Sequence, residues 1–204
     1  MYYGVGGRSE IEWVEKKSRF LGYAFPVTSE EEAREGLSKI RKAHPFATHV
    51  CFAFVADKAG NLMRYGDDGE PQGTAGVPML EVLKAKNLKE TCVAVVRYFG
   101  GIKLGAGGLC RAYSKTASLA IEANTVVETA EAAFLRAAFP YELSDAFRKF
   151  AEKEGLAPAY AYDAEVTATF PVKREEEARS AAALVDFLAG RCRVSTDGYG
   201  DYRF

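Results

Sequence analysis

The chain reads as an α+β protein in two units, residues 1–128 and 129–204. Three observations lead there. Runs with period-two alternation are interleaved with segments of helical spacing along the whole sequence. A β-branched run, Val93 to Val96, passes into five glycines between Gly100 and Gly108 and then into helical spacing from Leu109. From Thr129 onward the order is β-α-β-β-α-β, the ferredoxin-like pattern.

The elements follow in order. Residues 10–15 and 19–27 alternate as two strands, with Lys16-Lys17-Ser18 as the turn between them. Thr28 or Ser29 caps a helix that opens on Glu30-Glu31-Glu32, three acids suited to the helix dipole. Ala33, Leu37 and Ile40 form its buried face, and Pro45 ends it. Val50 to Ala56 is a strand, Lys58-Ala59-Gly60-Asn61 a hairpin turn, and Leu62 to Tyr65 its partner. A polar loop from Gly66 to Gly76 precedes a helix to about Asn87, with Thr74 as the expected N-cap. The Val93–Val96 strand, the glycine loop and a helix to about Asn124 complete the first unit. The second comprises a strand 132–139, a helix 141–154 closed by Gly155, strands 159–163 and 165–170, a helix 175–188 closed by Gly190, and a last strand from Arg191.

Composition sets the class. Apolar residues make up 48% and charged residues 27%, as in a globular protein. The net charge of −1 excludes a chain that binds polyanions over its whole surface. Residues 84–115, however, hold seven basic side chains and a single acid, Glu90, so a nucleic-acid surface would be a local patch there. Cys51, Cys92, Cys110 and Cys192 are widely spaced, without a C-x-x-C pair, and read as thiols rather than disulfides or zinc ligands. The N-terminus has no signal-peptide pattern and no apolar run has membrane-spanning length, so the expected location is cytoplasmic.

The glycine-rich loop is the main functional candidate. Backbone N–H groups in such a loop can approach a ligand closely, and the helix that follows presents a positive dipole end. Gly100-Gly101-Ile-Lys103-Leu-Gly105 has P-loop spacing but lacks the Lys-Ser/Thr that completes it, and Gly105-Ala-Gly107-Gly108 does not complete a dinucleotide fingerprint. Two readings stay open: an anion site formed by Arg97, Tyr98, Gly100, Gly101, Lys103, Gly105, Gly107, Gly108, Arg111 and Lys115, or close helix-on-strand packing. Tyr98 and Phe99 alternate in a strand, so at most one of them faces a ligand.

A second set of candidates lies in the preceding loops: His44, His49, Asp68, Glu70 and Thr74. His44 and His49 could converge on a metal or a proton, but structural hydrogen bonding is the favoured reading, since further ligands are not evident. Asp67, Asp68 and Glu70 could hold Mg²⁺, with Asp67 read instead as a helix cap and Glu70 as the acid facing the glycine loop. Ser114, Cys110 and Thr74 are the available nucleophiles, and none sits in a catalytic motif.

Four stretches resemble the YigZ/IMPACT family: Lys16-Lys17-Ser18-Arg19-Phe20; His44-Pro45 with His49; Asp67-Asp68-Gly69-Glu70-Pro71 through Gly73-Thr74-Ala75-Gly76; and Val96-Arg97-Tyr98-Phe99-Gly100-Gly101 through Arg111-Ala112-Tyr113. The resemblance implies that residues 1–128 form an IMPACT-type domain. Its fold would be like the second domain of a small-subunit ribosomal protein and of GHMP kinases. Residues 129–204 would be ferredoxin-like, similar to a domain of elongation factor G. Eukaryotic relatives restrain a translation-control kinase, and the family implies a link to translation through RNA or ribosome contact, with no established reaction and no cofactor. Two alternatives accompany it: a phosphate- or nucleotide-binding enzyme using the glycine loop with Asp68 or Glu70, and a protein-interaction module in residues 129–204.

Overall fold

The computed structural model describes all 204 residues, Met1–Phe204. The chain divides into two compact units, Tyr2–Glu128 and Thr129–Phe204, Met1 going with the second. No helix is long and apolar enough to cross a membrane.

In the first unit β1 (Tyr2–Val5) runs beside residues 87–89, with Lys89 N–H donating to the Tyr3 carbonyl at 2.8 Å. There follow β2 (Ser9–Glu15), β3 (Ser18–Pro26), α1 (Glu30–Ala43), β4 (His49–Val55), β5 (Met63–Gly66), α2 (Gly76–Ala85), β6 (Thr91–Tyr98) and α3 (Ala106–Glu122). The sheet order is β2-β3-β6-β4-β5, every neighbouring pair antiparallel. Lys16 and Lys17 take left-handed backbone angles in the tight β2–β3 hairpin.

β6 is central and is covered on both faces, which is why its sequence is a continuous apolar run rather than an alternating one. Val93 and Val95 enter a core with Met79 and Leu83 of α2 and Leu109, Tyr113 and Ala117 of α3. Cys92, Ala94 and Val96 enter the opposite core, with Ala33 and Ile40 of α1. Ser29 caps α1, its Oγ accepting from Glu32 N–H at 3.2 Å, while the Glu32 carboxylate accepts from Thr28 N–H at 2.7 Å. Thr74 does not cap α2: the cap position is Ala75, and the Thr74 hydroxyl donates to the Pro71 carbonyl at 2.6 Å.

The second unit contains β7 (Val126–Phe139), α4 (Ser144–Lys153), β8 (Ala159–Tyr162), β9 (Val166–Lys173), α5 (Glu177–Phe187) and β10 (Arg193–Arg203); a single 3-10 turn precedes each helix. Its strands stand in the order β10-β7-β9-β8, the ferredoxin-like arrangement in which the first and third strands are central. Alternation along β9 sends Val166, Ala168, Phe170 and Val172 inward against Leu135, Phe147 and Leu184.

All four cysteines are free; Cys51 and Cys92 are buried, and Cys110 and Cys192 are partly exposed. A thiol reagent is expected to modify Cys110 and Cys192 in the native protein, and Cys51 and Cys92 only on unfolding. Mass spectrometry of peptides after timed labelling checks this. Burial pushes the Cys51 thiol up to about 12. The unfolded thiol ionises near pH 8.5 while the folded one keeps its proton, so Cys51 makes stability fall as pH rises above about 9.

Candidate functional site

The acidic loop after β5 is built around Asp67. Its carboxylate accepts from the N–H groups of Gly73 (2.8 Å), Ala75 (3.0 Å) and Gly76 (2.8 Å), so it caps α2 from nine residues upstream. Burial works against the charged form, but these three donors outweigh it and hold the carboxyl below its ordinary range. Asp68 sits in the left-handed region, with a φ of 44°. Its carboxylate accepts from Val50 N–H at 2.6 Å and from Arg41 at 2.5 Å, and its carbonyl accepts from His49 Nδ1–H at 2.8 Å.

Glu70 points inward and is 8% exposed. Its Oε1 receives Arg97 Nη1 at 2.6 Å and the Tyr113 hydroxyl at 2.8 Å, and His49 Nε2 lies 3.8 Å away. Arg97 Nη2 donates to Ser18 Oγ at 3.3 Å, and the guanidinium carbon lies 5.4 Å from the ring centres of both Phe20 and Phe99. Arg97 Nε, fully buried, has no hydrogen-bond partner. The expectation that Arg97 contacts an anion at the surface is therefore overturned: it is 4% exposed and its charge is met by Glu70. The reason is the alternation of β6. Arg97 follows Val93 and Val95 onto the α2/α3 face, where the core is apolar.

The same alternation sends Tyr98 to the α1 face, away from the glycine loop. Its hydroxyl is 2.9 Å from His44 Nδ1, and the Arg19 guanidinium lies over its ring. His44 Nε2 is 2.7 Å from the Tyr23 hydroxyl, whose own proton goes to Glu10 at 3.0 Å. A hydroxyl has one proton, so His44 Nε2–H donates to Tyr23; in the neutral ring Nδ1 is then the acceptor for Tyr98. The two histidines therefore serve different faces of the sheet and do not converge. No group of three His, Cys, Asp or Glu side chains is placed to hold a metal ion.

The glycine loop divides into an anchored start and an open end. Gly100 packs on the β2–β3 turn so closely that a Cβ would lie 2.0 Å from the Lys17 carbonyl, and its N–H donates to Ser18 Oγ at 3.2 Å. Here packing explains the glycine. Gly101, Lys103, Gly105 and Gly107 are exposed, and Gly108 is half-buried against Leu104. Gly105, with a φ of 73°, is the N-cap of α3; it offers no side-chain acceptor, and the first turn has no acid. The first N–H groups of α3 thus stand open beside Lys103, with Arg111 and Lys115 exposed one and two turns further along. Lys115 Nζ lies 4.7 Å from the Trp13 ring, and a hollow of about 270 Å³ opens between Trp13, Lys16, Leu104, Gly108, Arg111 and Lys115, with one acid, Glu15, on its lining. Sequence reading missed Trp13 and Lys16 as members of this surface. The alternating run ending in Lys16-Lys17 placed a basic hairpin turn, but nothing local told that it faces α3.

Burial, then Cys51 and Glu70, raise the Tyr113 hydroxyl far above its ordinary value, and the Cys51 thiol donates to the Asp67 carbonyl at 3.0 Å. The role of the Glu70 cluster is to lock the loop, and two outcomes are expected. Glu70→Ala and Arg97→Ala each lower stability by about 3–5 kcal/mol, because each leaves a buried charge unpaired, and the double variant loses less than the sum; urea denaturation of the three variants checks this. Asp67→Asn costs about 1–3 kcal/mol at neutral pH, because both carboxylate oxygens accept here and an amide would turn a donor toward one of the N–H groups. A lowered carboxyl contributes stability above its unfolded pKa and loses it as pH falls, so this gap to wild type narrows below about pH 4, read from urea midpoints across pH.

With this geometry in place, the similarities are informative. Residues 16–121 match the Impact N-terminal domain family, an interval that takes in the acidic loop, β6, the glycine loop and α3. The chain is 53% identical over 127 residues to the IMPACT family member YvyE of Bacillus subtilis, covering 62% of this chain and 58% of that protein. It is 45% identical over 100 residues to the IMPACT family member YigZ of Escherichia coli, covering 48% and 49%. The matched part thus spans about half the length of these relatives. A solved structure described as a hypothetical protein aligns over 95% of both chains with a TM-score of 0.61 and 28% identity. The family match covers more than half of the chain, and the chain belongs to the IMPACT family.

Proposed function

We propose that this protein is a translation-associated regulator that binds RNA or a ribosomal surface through the open end of its glycine loop, without a reaction of its own. The observation that carries the reading is the uncapped, acid-free N-terminus of α3 beside exposed Lys103, with Arg111, Lys115 and Lys16 around the adjoining hollow. The translation link is supported by family membership and by what the sequence resemblance implies. Arg97 is withdrawn from the contact set; it holds the loop from beneath. The enzyme reading has weaker support, since Asp68 is engaged by Val50 N–H and Arg41, and Glu70 by Arg97 and Tyr113.

Phosphate contacts dominate such binding, so affinity should fall steeply with salt. Ribosomes and mixed RNAs are titrated against wild type and Lys103→Ala/Arg111→Ala/Lys115→Ala at several salt concentrations. The expected result is weaker binding by the variant at low salt and a shallower salt slope, by roughly one for each phosphate no longer neutralised. Absence of binding by folded wild type at low salt overturns the reading.

A further inference from the structure

On the opposite side of the same sheet lies a groove that the proposed RNA surface does not use. One wall is α1, with Arg34, Leu37 and Arg41; the floor is Val50, Phe52 and Phe54 of β4; the other wall is β5, with Arg64. It encloses about 550 Å³. The Phe52 and Phe54 rings stack 6.0 Å apart along the floor. Gly66, opposite Phe52 in the ladder, carries no side chain to cover it, and a Cβ there would lie 2.5 Å from the Phe52 ring.

Two features identify an occupant. First, β5 is the last strand of its sheet, so one side of Met63–Gly66 pairs with β4 and the other is a sheet edge at the lip of the groove, where Met63 N–H donates to the Asn61 carbonyl and the Met63 carbonyl accepts from Arg64 Nη1. Second, the charge presented outward is of one sign. The side chains of Arg34, Arg41 and Arg64 are 74%, 54% and 55% exposed, whereas those of Glu30 and Asp68, which hold them, are 23% and 32% exposed. The carboxylates orient two of the guanidiniums, Arg34 donating from Nε and Nη2 to Glu30 and Arg41 from Nη2 to Asp68, while Arg64 Nη1 donates to the Met63 carbonyl; more than half of each arginine side chain faces solvent. An edge strand beside a helix, with an apolar floor between them, is the geometry in which an extended peptide adds as a further strand.

We propose that the α1/β5 groove binds an extended acidic peptide segment, paired by its backbone to β5. Alternate apolar side chains of the segment rest on the half-buried Phe52 and Leu37, and its carboxylates meet Arg34, Arg41 and Arg64. This site is independent of the Lys103–Arg111–Lys115 surface.

The test uses the ¹⁵N-labelled full chain and blocked peptides of about eight residues alternating Glu with Leu, Val or Phe. Controls are the Lys-for-Glu counterparts, a version N-methylated at the alternate residues that face β5, and inorganic phosphate. The expected result is saturable shifts of the Met63–Gly66 amides with an acidic peptide and at least tenfold weaker binding to Arg34→Ala/Arg64→Ala. The N-methylated and Lys peptides should not bind. Both arginines are exposed, so this variant should keep wild-type stability. No shift at β5 with any of the three acidic peptides overturns the proposal. So does undiminished binding of the N-methylated peptide, equal binding of the Lys peptides, or displacement by phosphate at comparable concentration.

Discussion

One carboxylate, that of Glu70, connects four separate parts of the first unit. It lies in the loop after β5 and receives Arg97 from the end of β6 and Tyr113 from α3, while Arg97 reaches on to Ser18 at the start of β3. A buried ion pair adds little net stability over apolar packing, yet either half alone is costly to leave in an apolar core. The consequence is selective: only an arrangement that brings the acidic loop, the central strand, the helix and the β2–β3 turn together at once satisfies the pair. Ser18 Oγ also accepts from Gly100 N–H, so the network extends directly into the glycine loop.

This explains why a short glycine-rich loop can hold a defined shape. Its first residues are tied down by Ser18 and by contact with Lys17, and its last residue begins α3, which is packed on the sheet through Leu109, Tyr113 and Ala117. Between these anchors Gly101, Lys103 and Gly105 face solvent. Positive charge inside the network is neutralised by Glu70, while beside the open helix end three basic side chains line a hollow with one acid, Glu15. Burial thus divides the basic residues of one sequence segment into a structural one, Arg97, and a surface set, Lys103, Arg111 and Lys115.

The two faces of the first sheet differ in the same way. On the α2/α3 side, polar groups at the sheet end form a buried network. On the α1 side they form a half-buried line, Tyr98–His44–Tyr23–Glu10, and beyond it the apolar floor under three arginines. Antiparallel pairing sets both, because each residue's parity on its strand decides which chemistry it joins.

Much of this was legible in the sequence. The apolar run Val93–Val96 declared a central strand, the acids after Ser29 a helix start, and the pattern after Thr129 a ferredoxin-like order; each is a local signal, and each element forms where it was read. Asp67 as a helix cap and the histidines as hydrogen-bonding groups were also readable, because carboxylates before helices and isolated histidines have few other uses. Tertiary structure alone decided what the charges do. Arg97 looks in sequence like Lys103, since both border the glycine loop. Its burial depends on strand parity and on Glu70 arriving from a loop twenty-seven positions away. Trp13 and Lys16 joined the α3 surface for the same reason, whereas Thr74 lost the capping role to Asp67 within one loop. Spacing along the chain specifies which elements form, but the neighbours a polar side chain meets are set by the pairing of distant strands.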